Sequence, residues 1–180
     1  MTAGTIATTS ARVVDRLDEL FRLGAGPHAS RPGLGAEEEA ACRLAAGWMA
    51  DAGLEVSWDL AGNVVGRALG REPDLPEVWT GSHLDTVPAG GRFDGALGVA
   101  AGIEAVASLA ARPLRRTVAV AAFRDEEGWR FDSGFLGSRA LTGRLEPAAL
   151  EARDADGVSV REALARLGLD RDPSAAGWVA

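Results

Sequence analysis

Two short stretches hold the residues of this chain best suited to chemistry. Residues 81–99 read GSHLDTVPAGGRFDGALGV and offer His83, Asp85 and Asp94; residues 125–128 read DEEG and offer Asp125, Glu126 and Glu127. Each follows an apolar, strand-like run, Val78-Trp79-Thr80 in the first case and TVAVAAF at 117–123 in the second. In open α/β sheets, strand ends facing a crevice are where ligands and reacting groups collect. One imidazole with several carboxylates converging there is a ligand set for zinc, manganese or a similar divalent ion.

His83 closes its strand, and Asp85 follows at i+2, on the same side of an extended segment. A metal-binding imidazole usually donates its other N–H to a carboxylate, which fixes its tautomer, so Asp85 is expected to reach back to His83. The competing reading of His83 is a hydrogen-bonded core histidine. Asp94 lies in GGRFDG, where glycines let the backbone fold tightly around a carboxylate. Placed just before a helix, it also reads as an N-cap, and the two placements are compatible. Glu126 and Glu127 are adjacent and must diverge on any regular element. That suits a division of labour in which one holds metal while the other takes a proton from the activated water and passes it to a leaving nitrogen. The alternative is a solvated acidic turn.

Other candidates carry less. Asp125, Arg130, Ser138 and Arg139 read as supporting residues that sequence does not separate from surface. Cys42 lies in a helical segment with no histidine near it in sequence, which fits a buried thiol rather than a nucleophile. His28 sits in a Gly/Pro loop and reads as solvated. DADG at 154–157 lacks the spaced acceptors and bidentate Glu of a calcium loop and reads as a turn. Neither GxSxG nor GxxxxGK[ST] occurs, which argues against a serine-hydrolase elbow and a phosphate loop.

The elements that must position these residues alternate along the chain. Apolar spacing predicts helices at 9–23, 36–52 and 95–111, with shorter ones at 135–143, 147–152 and 159–167. Val13, Val14, Leu17, Leu20, Phe21 and Leu23 form the apolar face of the first. Glu37, Glu38 and Glu39 sit at the front of the second, where the helix dipole favours acids, and Ser159 with Glu162 predicts a capping box. Strands are expected at 54–58 and 63–67, joined as a hairpin, then into His83 and at 117–123. Strands alternating with helices predict an α/β layered sheet.

The chain has 180 residues, 47% hydrophobic and 25% charged, a globular balance with room for one core. A net charge of −7 argues against a general nucleic-acid or anionic-membrane binder. No apolar run approaches the about 18 residues of a membrane helix, and the amino terminus has no secretory pattern. With a single cysteine, the expectation is cytoplasmic.

These motifs resemble the hydantoinase/carbamoylase family of metal-dependent amidohydrolases, which includes N-carbamoyl-L-amino acid hydrolases, β-ureidopropionases and allantoate amidohydrolases. That family is similar in turn to the wider aminoacylase and carboxypeptidase G2 group of dinuclear-metal hydrolases. The likeness runs from about Ala36 to Gly157 and includes Gly62-Asn63 and the GFLGSRALTGRL run at 134–145. It implies a three-layer, aminoacylase/carboxypeptidase-like α/β catalytic domain with a central mixed sheet. It also implies two divalent metal ions, zinc or manganese, with cobalt and nickel also suited. By resemblance His83, Asp94 and Glu127 are metal ligands, Asp94 bridging, with Asp85 behind His83 and Glu126 as general base. The implied reaction is hydrolysis of a non-peptide C–N bond in a ureido compound, an N-carbamoyl-L-amino acid or allantoate, by metal-activated water. Full-length members are expected to be homodimers, and no substrate-binding residue is assigned.

The family's further histidine ligands have no counterpart here, since no histidine follows His83. One belongs to a His-Ile-Glu-Gln-Gly segment soon after the region matching 160–180, another lies near the carboxyl terminus. Residues 1–180 therefore read as the amino-terminal part of a catalytic domain, incomplete at the carboxyl end, lacking the lid and dimerisation domain, and inactive alone. Two alternatives stand beside this: a non-catalytic truncated fragment that needs a partner, and a peptidase or aminoacylase of the sister families. The second ranks lower because GGRFDG and DEEGWRF are more similar to the carbamoylase branch.

Overall fold

The computed structural model describes residues 10–24, 30–169 and 171–175. His28 and the proposed Thr9 cap of the first helix lie outside them. A four-stranded mixed sheet is built from β1 (Glu55–Trp58), β2 (Val64–Ala68), β3 (Val78–His83) and β4 (Val118–Phe123), in the order β1-β2-β4-β3. β1, β2 and β4 run antiparallel, while β3 lies parallel to β4. The hairpin between β1 and β2 turns on the Asp59 carboxylate, which accepts from the backbone N–H of Ala61 and of Asn63, both at 2.9 Å. This is the local bonding that makes Asp a turn residue.

Three helices, α1 (Ser10–Leu23), α2 (Ala36–Asp51) and α3 (Ala96–Ala110), share a core with one face of this sheet. Leu17, Leu20, Met49, Val99 and Ile103 are at most 2% exposed and pack with Val64, Val120 and Ala122. Each such side chain contributes about 1.5–3 kcal/mol. Surface ion pairs such as Arg43–Glu39 add about 1 kcal/mol or less. Apolar contact is therefore what fastens the helical layer. β4, VAVAAF, is apolar throughout because both its faces are covered: Val120 and Ala122 meet the helices, while Ala119 and Ala121 join Val65, Trp79 and Phe123 on the other side.

A second cluster gathers Leu34, Ala61 and Phe131 with α4 (Leu136–Leu141), the turn Pro147–Glu151 and α5 (Val160–Arg166). The helical segment expected at 147–152 is a 3₁₀ helix, Pro147–Glu151, with Pro at its first turn and only five residues. The capping box of α5 forms as expected between Ser159 and Glu162. On α1, Val14 and Phe21, assigned to the apolar face, are 48% and 40% exposed. What matters for the site is register. In the parallel pair, His83 lies opposite Phe123, so both strands deliver their following residues to one end of the sheet.

Candidate metal centre

At that end the backbone turns in a way that only certain residues allow. Gly95 has φ +64, and a Cβ there would lie 2.4 Å from His83 Nδ1, so glycine is needed for α3 to start against the imidazole. Gly95 rather than Asp94 is the N-cap of α3, which corrects the capping role expected for Asp94. The Asp94 side chain is 59% exposed and faces His83 instead, with Oδ1 3.9 Å from Nε2. On the other strand, Asp125 adopts φ +47, a left-handed conformation that is strained for a non-glycine residue. That turn sends Glu126 and Glu127 in different directions.

His83, Asp94 and Glu127 come together: one ligand atom from each lies within 4.8 Å of the others. His83 Nδ1 is 3.1 Å from the Asp85 carbonyl oxygen and 3.3 Å from its Oδ1, which leaves Nε2 facing the cluster. Asp85 is 1% exposed, and its carboxylate also accepts from the N–H of Glu126 at 3.1 Å and of Glu127 at 3.0 Å. One buried carboxylate thus ties the two acidic stretches together. Glu126 is not among the three clustered ligands and is held by Ser138, whose N–H and hydroxyl donate to its two oxygens at 2.7 and 2.8 Å.

The electrostatics fit a cation. Burial alone would lower the His83 pKa, but the hydrogen bonds and charge of Asp85, joined by Glu127, leave it raised to about 9. Burial raises Asp125 to about 8, with Glu38 and Asp85 adding to the effect, and neither oxygen has a hydrogen-bond partner among the described residues. Glu126 is raised by burial against the pull of the Ser138 donors. Glu127 is raised by burial and Asp94 although His83 draws it down. Its buried Oε1 has no hydrogen-bond partner among the described residues. An excess of carboxylates around one imidazole, one of them with a buried oxygen unpartnered among the described residues, is the environment a divalent ion offsets. His83, Asp94 and Glu127 could hold one.

Residues not singled out from sequence support this end of the sheet. Glu38 of α2 is fully buried, accepts from Leu34 N–H at 2.7 Å and Asp125 N–H at 2.8 Å, and pairs with Arg124 at 3.3 Å. The buried stripe of α2 includes Glu38, Ala41, Cys42, Ala45 and Met49, with Leu44 and Trp48 packed partly buried beside it. An acid on a helix's apolar stripe was the available signal. Asn63, also fully buried, donates to the Gly137 carbonyl at 2.9 Å and accepts from Arg124 N–H at 2.9 Å. Arg130, already a supporting candidate from sequence, bonds Asp154 and the Gly33 carbonyl, bracing the DADG turn.

These contacts leave no room at Gly137, where a Cβ would lie 2.2 Å from Asn63 Oδ1 and 2.5 Å from Arg124 N. Gly137→Ala is expected to cost about 1–3 kcal/mol, read as a lower urea midpoint at unchanged m value. An unshifted midpoint would show that α4 moves freely against β4.

A family model described as Peptidase family M28 matches residues 63–156, just over half of the chain. An N-carbamoyl-L-amino acid amidohydrolase of Geobacillus stearothermophilus is 47% identical over 165 residues, covering 89% of this chain and 40% of that protein. An allantoate deiminase of Arabidopsis thaliana is 41% identical, covering 87% of this chain and 31% of that protein. A crystal structure of a hydantoinase/carbamoylase family amidase from Burkholderia ambifaria superposes with a TM-score of 0.86 at 36% identity, over 97% of this chain and 44% of that one. The chain thus spans 31–44% of the length of these relatives.

Proposed function

We infer that this chain, which belongs to peptidase family M28, forms part of the catalytic domain of a metal-dependent amidohydrolase. The bonds it cleaves are non-peptide C–N bonds of ureido compounds, N-carbamoyl-L-amino acids or allantoate. The observation that carries this reading is the convergence of His83, Asp94 and Glu127 beside a second, separately held carboxylate, Glu126. The substrate class comes from the names of the similar proteins.

In this reading His83, Asp94 and Glu127 would hold the divalent metal. Imidazole mixed with carboxylates suits zinc or manganese. Such an ion supplies Lewis acidity toward the carbamoyl oxygen and toward water. Asp85 holds the imidazole with Nε2 presented to the cluster. Glu126 takes the proton of the attacking water and returns it to the leaving nitrogen, and its raised pKa brings it nearer the working range of a general base.

No described helix is long and apolar enough to cross a membrane. A buried, unpaired Cys42 fits a reducing cytoplasm, and a homodimer is the form we propose for the full-length protein.

The test uses the protein at its native length, established by intact mass. Ammonia release from N-carbamoyl amino acids and from allantoate should vanish on chelation and return with manganese or zinc. Release that survives exhaustive chelation, or no release from either substrate in the metal-loaded protein, would sink the reading. The family description favours one other reading, a peptidase. Liberation of amino acids from peptides without ammonia release would select it.

A further inference from the structure

We propose that Ser138 is a positioning residue that sorts the two adjacent glutamates into their roles. By gripping Glu126 it withholds that carboxylate from the ligand cluster and presents it in one orientation, leaving Glu127 to the ions. The proposal rests on the reading of Glu126 as the base.

The grip is two-handed. Ser138 N–H donates to Oε1 at 2.7 Å and its hydroxyl to Oε2 at 2.8 Å. A carboxylate has about four lone-pair sites, so two bonds fix its plane and still leave each oxygen able to accept again. Among the described residues Glu127 has no such clamp: its side chain meets Asp94, and its buried Oε1 has no hydrogen-bond partner. The two neighbours therefore differ not in residue type but in what holds them.

The clamp is itself anchored. Phe135, Leu136 and Gly137 donate in turn to the carbonyls of Glu126, Asp125 and Arg124, at 3.0, 3.2 and 2.9 Å, which closes the 127–134 loop at its base. Ser138 adds the next rung to this ladder through the glutamate side chain. Asn63 bridges Gly137 and Arg124 from behind and keeps the rung in place. Left free, Glu126 has three rotatable bonds and stands one residue from a ligand, close enough to compete for the ions.

Kinetics of the native-length, metal-loaded protein test this. Ser138→Ala keeps the backbone donor and removes the hydroxyl, so kcat should fall by about 10- to 100-fold with KM unchanged. Ser138→Thr should recover most of kcat, and Ser138→Cys, a weaker donor of similar shape, should fall between at an unchanged melting temperature. In a Glu126→Gln background, Ser138→Ala should cost nothing more. An unchanged kcat in Ser138→Ala and Ser138→Cys would overturn the proposal, as would an equal loss in the Glu126→Gln background. Full turnover by Glu126→Gln alone would instead remove the base reading on which the proposal stands.

Discussion

In the native-length, metal-loaded protein, Glu126→Gln should lower turnover of the proposed ureido substrate by about two to four orders of magnitude, the range a positioned acid–base group supplies, while metal content stays unchanged. The change is close to isosteric. The carbonyl oxygen of the introduced amide can still accept from Ser138 N–H, and the Ser138 hydroxyl can turn to accept from its NH₂ group. Glu126 is not one of the three residues whose ligand atoms converge, so the ions lose nothing directly. What disappears is the capacity to accept a proton. Stopped assays for ammonia, alongside metal analysis of the same preparation, read both quantities. A variant with near-native kcat would show that another group moves the proton.

The largest loss of stability is expected at Glu38. This carboxylate is 0% exposed and receives two backbone N–H groups and the Arg124 guanidinium, itself 1% exposed. Glu38→Ala strands the two backbone N–H groups and one guanidinium N–H group in the interior, while Glu39 and the Gly62 carbonyl still hold Arg124. The cost is that of unsatisfied buried donors, about 1–3 kcal/mol each. Glu38→Gln keeps an acceptor oxygen and should cost less, about 1–3 kcal/mol. Urea unfolding measures both, and a Glu38→Ala loss below about 1 kcal/mol would mean that water replaces the carboxylate. The pH dependence follows from the same burial. It raises the Glu38 pKa from its ordinary 4.5 to about 7, so the folded state binds the proton more tightly than the unfolded one. Between those values the native protein loses stability as pH rises, and Glu38→Gln should lack that part of the slope.

Much of this site was legible before the fold was. His83, Asp85, Asp94, Glu126 and Glu127 stand in two compact motifs at strand ends, and local sequence is enough to mark them. The elements were legible for a similar reason, since the periodicity of α1 to α3 and the apolar run of β4 are properties of consecutive residues. Contacts across distance were not. Nothing local says that β4 enters between β2 and β3, which is what sets His83 opposite Phe123. Glu38 hid among three acids at a helix front, where the helix dipole explains all of them equally. Asn63 passed as a hairpin residue, which it also is. Ser138 was in view, but only the fold back of residues 135–138 onto the end of β4 shows whom it serves. Asp94 reads as a cap in sequence because caps and loop ligands favour the same small acid, and Gly95 took the position instead.

The bonds from Glu126 and Glu127 to the Asp85 carboxylate have a thermodynamic consequence. They span the seam between two parallel strands whose partners are about forty residues apart in the chain. Any opening that parts β3 from β4 must also break them and scatter the ligand cluster. A cation captured by His83, Asp94 and Glu127 therefore acts as a brake on that opening, with a strength that grows with its free concentration. Loading such a centre and holding the β3–β4 junction closed would then be one equilibrium, and metal occupancy would serve as a gauge of the fold's integrity.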